Sequence, residues 1–555
     1  MTSRLTRSVA KGAGWAATLL VAAASTQILP AAPAMAATAS IAVAPLASVY
    51  KASTTYTMTV NGISVPINGY QDYDYAEFAM GAGNATVTIT KLNATNVGAA
   101  YISPLKYGYK ATFSGSRATF TMTSAQYLIV KLDGQRRLIL AADPTETDKP
   151  AKTGTGIFNV TSSTYAADST GARVTTPAVQ KALDAASAYG SVAGHTRGIV
   201  YIPRGVYLVA NLDLNSNTAV YLEDGAVLRA PATKSLYTKD AYKGSQSRDL
   251  TWWIQTAFGS TNIKLYGRGT LDGNGQANAT AGIGTNILAP IATSNFTLDG
   301  LTIRESGSWA VIPTRSNDLS FSNMKLFNRF DMGENDGIDV IESQNVTVTR
   351  GIGIGLDDPY STKTWPKATT AGTDITYGWP GEAEALSNVT FDNLVSWTYC
   401  YGFKVGQGMA EDQSGVTFKN SVVFDAAIGL GIHHKWGAGT ASGITFSNMD
   451  IENLSYSNDS RRTWLVFLVY DGYNDGAGPI TGVNVSNINV RNKGTTPAVM
   501  RGISDTAAIS NVTFNSVKMP GASTYATTMA GMNLTDRAFV SGVTILPVQD
   551  PEPVS

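Results

Sequence analysis

Ser294-Asn-Phe-Thr-Leu-Asp-Gly-Leu-Thr-Ile303 is answered by Asn317-Asp-Leu-Ser-Phe-Ser-Asn-Met-Lys-Leu326, and then by Gln344-Asn-Val-Thr-Val-Thr349. The phrase returns as Ser387-Asn-Val-Thr-Phe, Ser414-Gly-Val-Thr-Phe, Ser442-Gly-Ile-Thr-Phe, Thr481-Gly-Val-Asn-Val and Ser510-Asn-Val-Thr-Phe. Successive starts lie 23, 27, 43, 27, 28, 39 and 29 residues apart. A short alternating strand with an Asn or Gly turn, repeated at this period, is the mark of a solenoid. One turn cannot bury its own apolar face, so stacked turns must build a continuous core. Long helical periodicity is nearly absent, which excludes leucine-rich and helical solenoids and leaves an all-β parallel β-helix. The two long intervals are insertions, expected as loops on one face; the first follows directly on Asp357-Asp358.

Upstream, the pattern changes. From about Ser48 to Asp143 short alternating strands such as Tyr56-Thr-Met-Thr-Val60 and Ala85-Thr-Val-Thr-Ile-Thr90 are separated by turn residues. Such spacing predicts a small β-sandwich. The Pro/Thr/Lys-rich stretch after it reads as a linker. A helix is expected at Thr176-Pro-Ala-Val-Gln-Lys-Ala-Leu, with Thr176 as N-cap and Pro177 in the first position. At the start, Arg4, Arg7 and Lys11 precede an apolar run from Trp15 to Ala24 and the small-x-small site Ala34-Met-Ala36, which reads as an export signal. The expected organisation is a signal over 1–36, a β-sandwich over 37–145, a linker over 146–164, a β-helix over 165–545 and a tail over 546–555. An extracellular protein is implied.

Composition narrows the function. Lys+Arg and Asp+Glu are both 41, so no bulk charge recruits nucleic acid or an anionic membrane. No segment after the signal is apolar enough to cross a bilayer. Cys400 is the only cysteine, so no intramolecular disulfide forms, and it reads as a buried small hydrophobe. With three histidines and one cysteine, a structural zinc cluster is not expected. No cofactor or metal is expected, and the sequence is silent on oligomeric state.

The chemistry concentrates in Glu334-Asn-Asp-Gly-Ile-Asp339 and Leu356-Asp-Asp-Pro359. Asp336 and Asp357 are 21 residues apart, close to one coil, and residues one coil apart stack on one face of a solenoid. Asp336, Asp357 and Asp358 therefore converge. Three carboxylates together repel one another and persist where a raised pKa or a ligand makes use of them. Glycosidic hydrolysis is one such use, since it needs one protonated carboxyl and one carboxylate. Asp-Gly and Asp-Asp are also turn residues, and oxygen clusters bind Ca²⁺. All three readings stand on the residues alone.

The second part resembles the polygalacturonases of glycoside hydrolase family 28, and more loosely the dextranases and isopullulanases of family 49. The similarity runs from about Tyr165 to Val517. It rests on Tyr165-Ala-Ala-Asp-Ser-Thr-Gly, Gly198-Ile-Val-Tyr-Ile-Pro-Arg-Gly, Tyr266-Gly-Arg-Gly-Thr-Leu-Asp-Gly, Gly300-Leu-Thr-Ile-Arg-Glu-Ser-Gly-Ser-Trp309 and, above all, Asn335-Asp-Gly-Ile-Asp339 followed by Asp357-Asp358. The resemblance implies a right-handed, pectin-lyase-like β-helix and a polysaccharide substrate cleaved with inversion. Asp357 would be the general acid, Asp336 and Asp358 would hold the attacking water, and Asp339 would support them. The chain departs from the family where a Gly-His-Gly turn is replaced around Tyr401, and where Arg-Ile-Lys is replaced by Gly429-Leu-Gly-Ile-His-His-Lys-Trp436. That weakens pectin and leaves a neutral α-glucan or a pectic polymer as substrate. Sugar contacts are expected from Trp309, Lys363, Trp365, Tyr401, Lys404, His433, His434, Lys435 and Trp436, with Tyr360 and Trp379 as further candidates. The competing readings are a Ca²⁺-dependent β-helical lyase and a non-catalytic carbohydrate-binding solenoid.

Overall fold

The computed structural model describes residues 37–365, 375, 378–472 and 474–546. The expected export signal lies outside the described residues, as do most of the tail and part of the insertion after Pro359. From Thr38 onward the chain forms one compact unit.

Alternation builds the first part. In Tyr56–Val60, Tyr56, Met58 and Val60 are buried while the threonines between them turn outward. Ala85–Lys91 and Arg117–Met122 repeat the pattern, and with Ile63–Val65 and Thr112–Ser114 they make one sheet. A second sheet orders Lys51–Ala52, Ile67–Gly69, Asp74–Met80, Arg137–Pro144, Tyr127–Leu132 and Ala100–Ser103. Val60, Val87, Ile89, Phe120, Leu128 and Leu140 fill the space between them. The outer face of the second sheet is apolar too, and it lands on the solenoid. Tyr70, Tyr73, Tyr75, Tyr127 and Ile139 pack with Phe327, Phe330, Ile352, Ile354, Trp397 and Phe424.

The solenoid stacks as the repeat predicts. Phe296 pairs with Leu319, Leu319 with Val346, Val346 with Val389 and Val389 with Val416, all in parallel register. Inside, Phe391 stacks on Phe418 at 4.8 Å between centroids and Phe418 on Phe446 at 5.2 Å. The second residue of each repeat turns the chain. Asn295, Asp318, Asn345, Asn388, Gly415, Gly443, Gly482 and Asn511 all have φ between 51° and 65°. That left-handed region penalises ordinary side chains and tolerates Gly, Asn and Asp, which is why the phrase admits only these. Neighbouring asparagines also bond one another: the Asn388 amide donates to Asn345 at 2.6 Å and that of Asn345 to Asn317 at 2.8 Å.

A separate parallel sheet carries the cleft. It runs through Ile338–Ile341, Tyr360–Thr364, Tyr401–Met409, Ile428–Trp436, Thr463–Val469, Ala498–Arg501 and Leu534–Ala538. Val340, Phe403, Val405, Leu430 and Ile432 point into the core. Strand side chains alternate, so the residues between them face outward.

Two expectations are corrected. The helix spans Thr176–Gly190 with Thr175 at its N-cap, and neither threonine hydroxyl caps it. Thr175 accepts instead from the Asp168 N–H and Thr176 from the Ala210 N–H. The stretch read as linker is also part of the solenoid. Ile157–Asn159 pairs in parallel with Ile199–Tyr201, and Lys152 reaches Glu223 at 3.1 Å.

Candidate active site

Adjacent coils bring the acids together through one close approach. The Gly337 N–H donates to the Asp358 carbonyl at 2.9 Å, and Ile338 pairs with Tyr360. A Cβ at position 337 would lie 2.4 Å from the Pro359 carbonyl oxygen, so the glycine after Asp336 is required by contact. Asn335 ties the coils a second time. Its side-chain oxygen accepts from the Leu356 and Asp357 N–H groups at 3.1 and 3.2 Å, and its amide donates to the Arg329 carbonyl at 2.6 Å. The result is a cluster in which Glu334, Asp336 and Asp357 each bring an oxygen within 4.8 Å of the others.

The cleft is a cavity of about 310 Å³. Asp336, Asp357 and Asp358 line it with Trp309, Lys363, Trp365, Lys404, Lys435 and Trp436, so nine of the twelve residues expected at the site converge. Two expected sugar contacts serve the acids directly. Lys363 sits 2.7 Å from both Asp336 and Asp339, and Lys404 sits 2.5 Å from Asp358. These lysines come from the outward positions of neighbouring strands, as Asp339 does. Ser361 also donates to Asp339, which is a supporting acceptor. Each ammonium takes one oxygen of a carboxylate, and the second oxygens of Asp336 and Asp339 stay buried without a hydrogen-bond partner among the described residues.

The environments of the acids differ. Asp336 and Asp358 are buried, whereas Asp357 is partly open to the cleft. Enclosure, then the Asp358 and Glu334 charges, push the Asp357 carboxyl up to about 6. Burial and the surrounding carboxylates also hold Asp336 well above its ordinary value, against the pull of Lys363. Glu334 goes the other way: despite its burial, Lys243 at 3.0 Å brings it down to about 2. Asp336 and Asp357 are thus both pushed toward the protonated form, and of the two only Asp357 is partly open to the cleft.

The remaining three residues lie elsewhere. Adjacent histidines on a strand face opposite ways, and His434 points inward. Its Nε2 lies 2.7 Å from the Gly439 carbonyl oxygen and 3.1 Å from the Gly478 N–H nitrogen. His433 faces outward but is covered by the Tyr401 and Tyr470 rings at 5.8 and 5.4 Å. Burial, then the neighbouring cations, hold His433 well below its usual value. Tyr401 is buried between Lys404 and His433 and donates its N–H to Asp358 at 3.0 Å. Neither Tyr360 nor Trp379 lines the cavity. Tyr360 stacks inside the core on Phe403, and Trp379 packs with Trp252 and Trp309.

Sequence reasoning missed one wall. Lys243, Gly244 and Ser245 line the cavity from a hairpin three coils upstream of Asp336. Lys243 lies 4.3 Å from the Trp309 ring centre and 5.3 Å from that of Trp365. Ser245 donates to Glu334 at 2.7 Å and Gln246 to the Gly333 carbonyl at 2.7 Å. No repeat or motif marks this hairpin. Cys400 also proved closer to the chemistry than expected. Its sulfur belongs to a group with Asp357 and Asp358 spanning less than 4.8 Å, and burial raises its thiol well above the usual value.

A parallel β-helix with carboxylates stacked on adjacent coils of its cleft sheet defines a class of polysaccharide-active proteins. Residues 199–538 match the family model described as glycosyl hydrolases family 28, and the chain belongs to that family. It is 23% identical to an exopolygalacturonase of Cochliobolus carbonum over 285 residues, covering 47% of this chain and 60% of that protein. Against a probable exopolygalacturonase X of Aspergillus terreus it is 25% identical over 223 residues, 36% of this chain and 48% of the other. The chain thus spans about half to three fifths of the length of these relatives. Among solved structures, the family 28 exopolygalacturonase of Yersinia enterocolitica superimposes with a TM-score of 0.50 at 15% identity, over 83% of this chain and 97% of that one. Dex49A from Penicillium minioluteum gives 0.50 at 14%, over 91% and 97%. Both share the right-handed parallel β-helix. Among the described residues no helix is long and apolar enough to cross a membrane.

Proposed function

We propose that the chain is an exported hydrolase that removes sugar units from the end of a pectic polysaccharide, with Asp357 as general acid. The observation that carries this reading is the contrast within the carboxylate cluster. Asp357, pushed up to about 6, alone among the three is partly open to the cleft and is not held by a lysine among the described contacts. A general acid works best when its pKa lies near the working pH. Asp336 and Asp358, anchored by Lys363 and Lys404, are suited to orient a water rather than to attack. The nearest oxygens of Asp336 and Asp357 are within 4.8 Å, tighter than the about 6.5–9.5 Å between carboxyls usual for inverting pairs. That spacing is nearer the about 5–5.5 Å of retaining pairs, so the anomer first released, read by NMR, decides between inversion and retention.

Action from a chain end is supported by the hairpin at Lys243–Gln246, which reaches across the coils to Glu334 and Trp365 and walls off one side. On the other side Lys435 also borders a more open groove of about 680 Å³, where Asp459, Arg461, Tyr470, Arg501 and Phe539 lie. The terminal sugar would occupy the closed cavity against Trp309, Trp365 and Trp436. The rest of the chain would follow the groove, where Arg461 favours a carboxylate-bearing polymer over a neutral α-glucan, Arg501 being paired with Asp536 at 2.6 Å. The names of the curated relatives agree with that choice. Incubation with polygalacturonate, other pectins, dextran and pullulan, with products sized, tests the reading. Monomer release from polygalacturonate is expected. Asp357→Asn should lower turnover about 10³-fold or more while binding persists. Unsaturated, ultraviolet-absorbing products that vanish with a chelator would mean a lyase, and binding without products a non-catalytic solenoid.

A further inference from the structure

The β-sandwich meets the solenoid beside the segment that carries the acids. Tyr73 is fully buried in the interface, and its hydroxyl donates to the Asn328 carbonyl at 3.0 Å. The carboxylate of the preceding residue, Asp72, accepts from the Phe330 N–H at 3.1 Å. Both contacts fall on the turn that leads from Phe327 to Glu334 and Asp336.

From that turn the bonds continue inward. The Asn328 side-chain amide donates to the Asn335 carbonyl at 2.9 Å, and its side-chain oxygen accepts from the Ser306 N–H at 2.9 Å. Asn335 in turn accepts from the Leu356 and Asp357 N–H groups. Leu356 also donates to the Arg329 carbonyl at 3.2 Å, and Thr398 closes the far side by donating to the Asp357 carbonyl at 2.7 Å. Aromatic packing follows the same line. Phe330 lies 6.2 Å from Tyr73, 4.7 Å from Trp397 and 4.6 Å from Tyr399, centre to centre. Tyr399 directly precedes Cys400, beside Asp357 and Asp358.

We infer that the sandwich corner at Asp72 and Tyr73 positions the active site, by fixing the turn at Asn328–Phe330 through which Asn335 sets the Asp357 backbone. Tyr73 and Asp72 touch no reacting atom; they act through Asn328, Phe330 and Asn335. The physical reason is that Asn335 holds the Leu356 and Asp357 N–H groups at the turn where the strand Gln344–Gly355 has ended, and the Asp357 N–H is bound there by that side chain. Among the described residues, its own carbonyl and amide are held by residues 328 and 329. Loosening that anchor lets the Asp357 carboxyl drift relative to Asp336, and sub-ångström placement matters to proton transfer.

The test compares the full chain with Tyr73→Phe, Asp72→Ala and, as a matched control, Tyr101→Phe. Tyr101 also donates its hydroxyl across the same interface, to Glu452 at 2.8 Å, but no bonded line leads from there to the acids. Two readouts are needed. The first is hydrogen exchange at the Leu356 and Asp357 amides, which requires no substrate. Exchange about tenfold faster is expected in both corner variants and unchanged in the control. The second is kinetics on the glycan that the unaltered chain cleaves: kcat about tenfold lower with KM unchanged in the corner variants, and neither changed in the control. Amides that exchange as in the unaltered chain in Asp72→Ala, an exposed position that leaves the fold intact, would overturn the inference. So would a kcat loss as large in Tyr101→Phe, which would mean general destabilisation. If the unaltered chain cleaves no glycan, the hydrolase reading falls while the exchange data still decide this one.

Discussion

Asp357 owes its poise to neighbours that can be changed singly. Its carboxyl is raised by enclosure, then by the charges of Asp358 and Glu334, and is opposed by Lys404. A raised general acid is protonated below about 6, so activity should fall as pH rises through that value, the alkaline limb belonging to the coupled cluster rather than to one group. Glu334→Gln removes a negative neighbour. The Asp357 proton is then held less tightly and the alkaline limb should move to lower pH by a few tenths of a unit, which a pH–rate profile of kcat reads. A shift to higher pH would mean that Glu334 acts by anchoring Lys243 rather than by its charge. At this scale the sequence was informative about acids and poor about their partners. The spacing of one coil between Asp336 and Asp357 placed the carboxylates, because coil register is what the repeat encodes. Lys363 and Lys404 were read as sugar contacts, because nothing in their local sequence says that an outward strand position one coil on faces an aspartate. The two histidines illustrate the limit. Strand alternation dictates that His433 and His434 face opposite ways, yet only the packing of Tyr401 and Tyr470 shows that the outward one is covered.

At the scale of elements, turns decide. The repeated Ser-Asn/Gly was legible as a fold signal because the αL conformation it needs restricts residue type at every coil. Gly337 is a different case. Its place is required by the Pro359 carbonyl, a contact across coils. Gly337→Ala should therefore cost about 1–3 kcal/mol by overpacking and pull the two acid-bearing segments apart, so thermal denaturation and turnover should fall together. The hairpin ending in Lys243–Gln246 was not legible. Its function lies in bonds to the Glu334 side chain and the Gly333 backbone, at separations of 89 and 87 residues from Ser245 and Gln246, and no periodicity announces them. If it closes the cleft, Ser245→Ala combined with Gln246→Ala should loosen that wall. Product sizing should then show short oligomers beside the monomer, whereas an unchanged monomer-only pattern would place the closure elsewhere.

For the whole molecule, the question is why a solenoid carries a sandwich on its side. Solenoid faces are ordinarily polar outside, but the strands at Lys325–Phe327, Gln344–Gly355 and Leu386–Thr398 present Phe327, Ile352, Ile354, Val395 and Trp397 outward, and the sandwich covers them. Burying such a side chain is worth about 1.5–3 kcal/mol. The polar contacts around that patch are equally committed. Lys325, itself buried, reaches Asp143 at 2.5 Å, and Arg268 lies 3.5 Å from the same carboxylate. Cutting the chain at the start of the linker would strip an apolar patch bare, which is costly, and would take the Asp143 carboxylate away from Lys325 and Arg268. Residues 146–555 expressed alone should accordingly be insoluble or bind a hydrophobic dye, while the chain from 37 onward remains soluble and monodisperse. Replacing Phe327 and Trp397 with polar residues in the shortened chain should restore solubility but not activity, because the turn at Asn328–Phe330 would still lack Asp72 and Tyr73. Recovery of full turnover by that soluble fragment would mean that the β-helix organises its own acids, and the sandwich would then serve only as a cover.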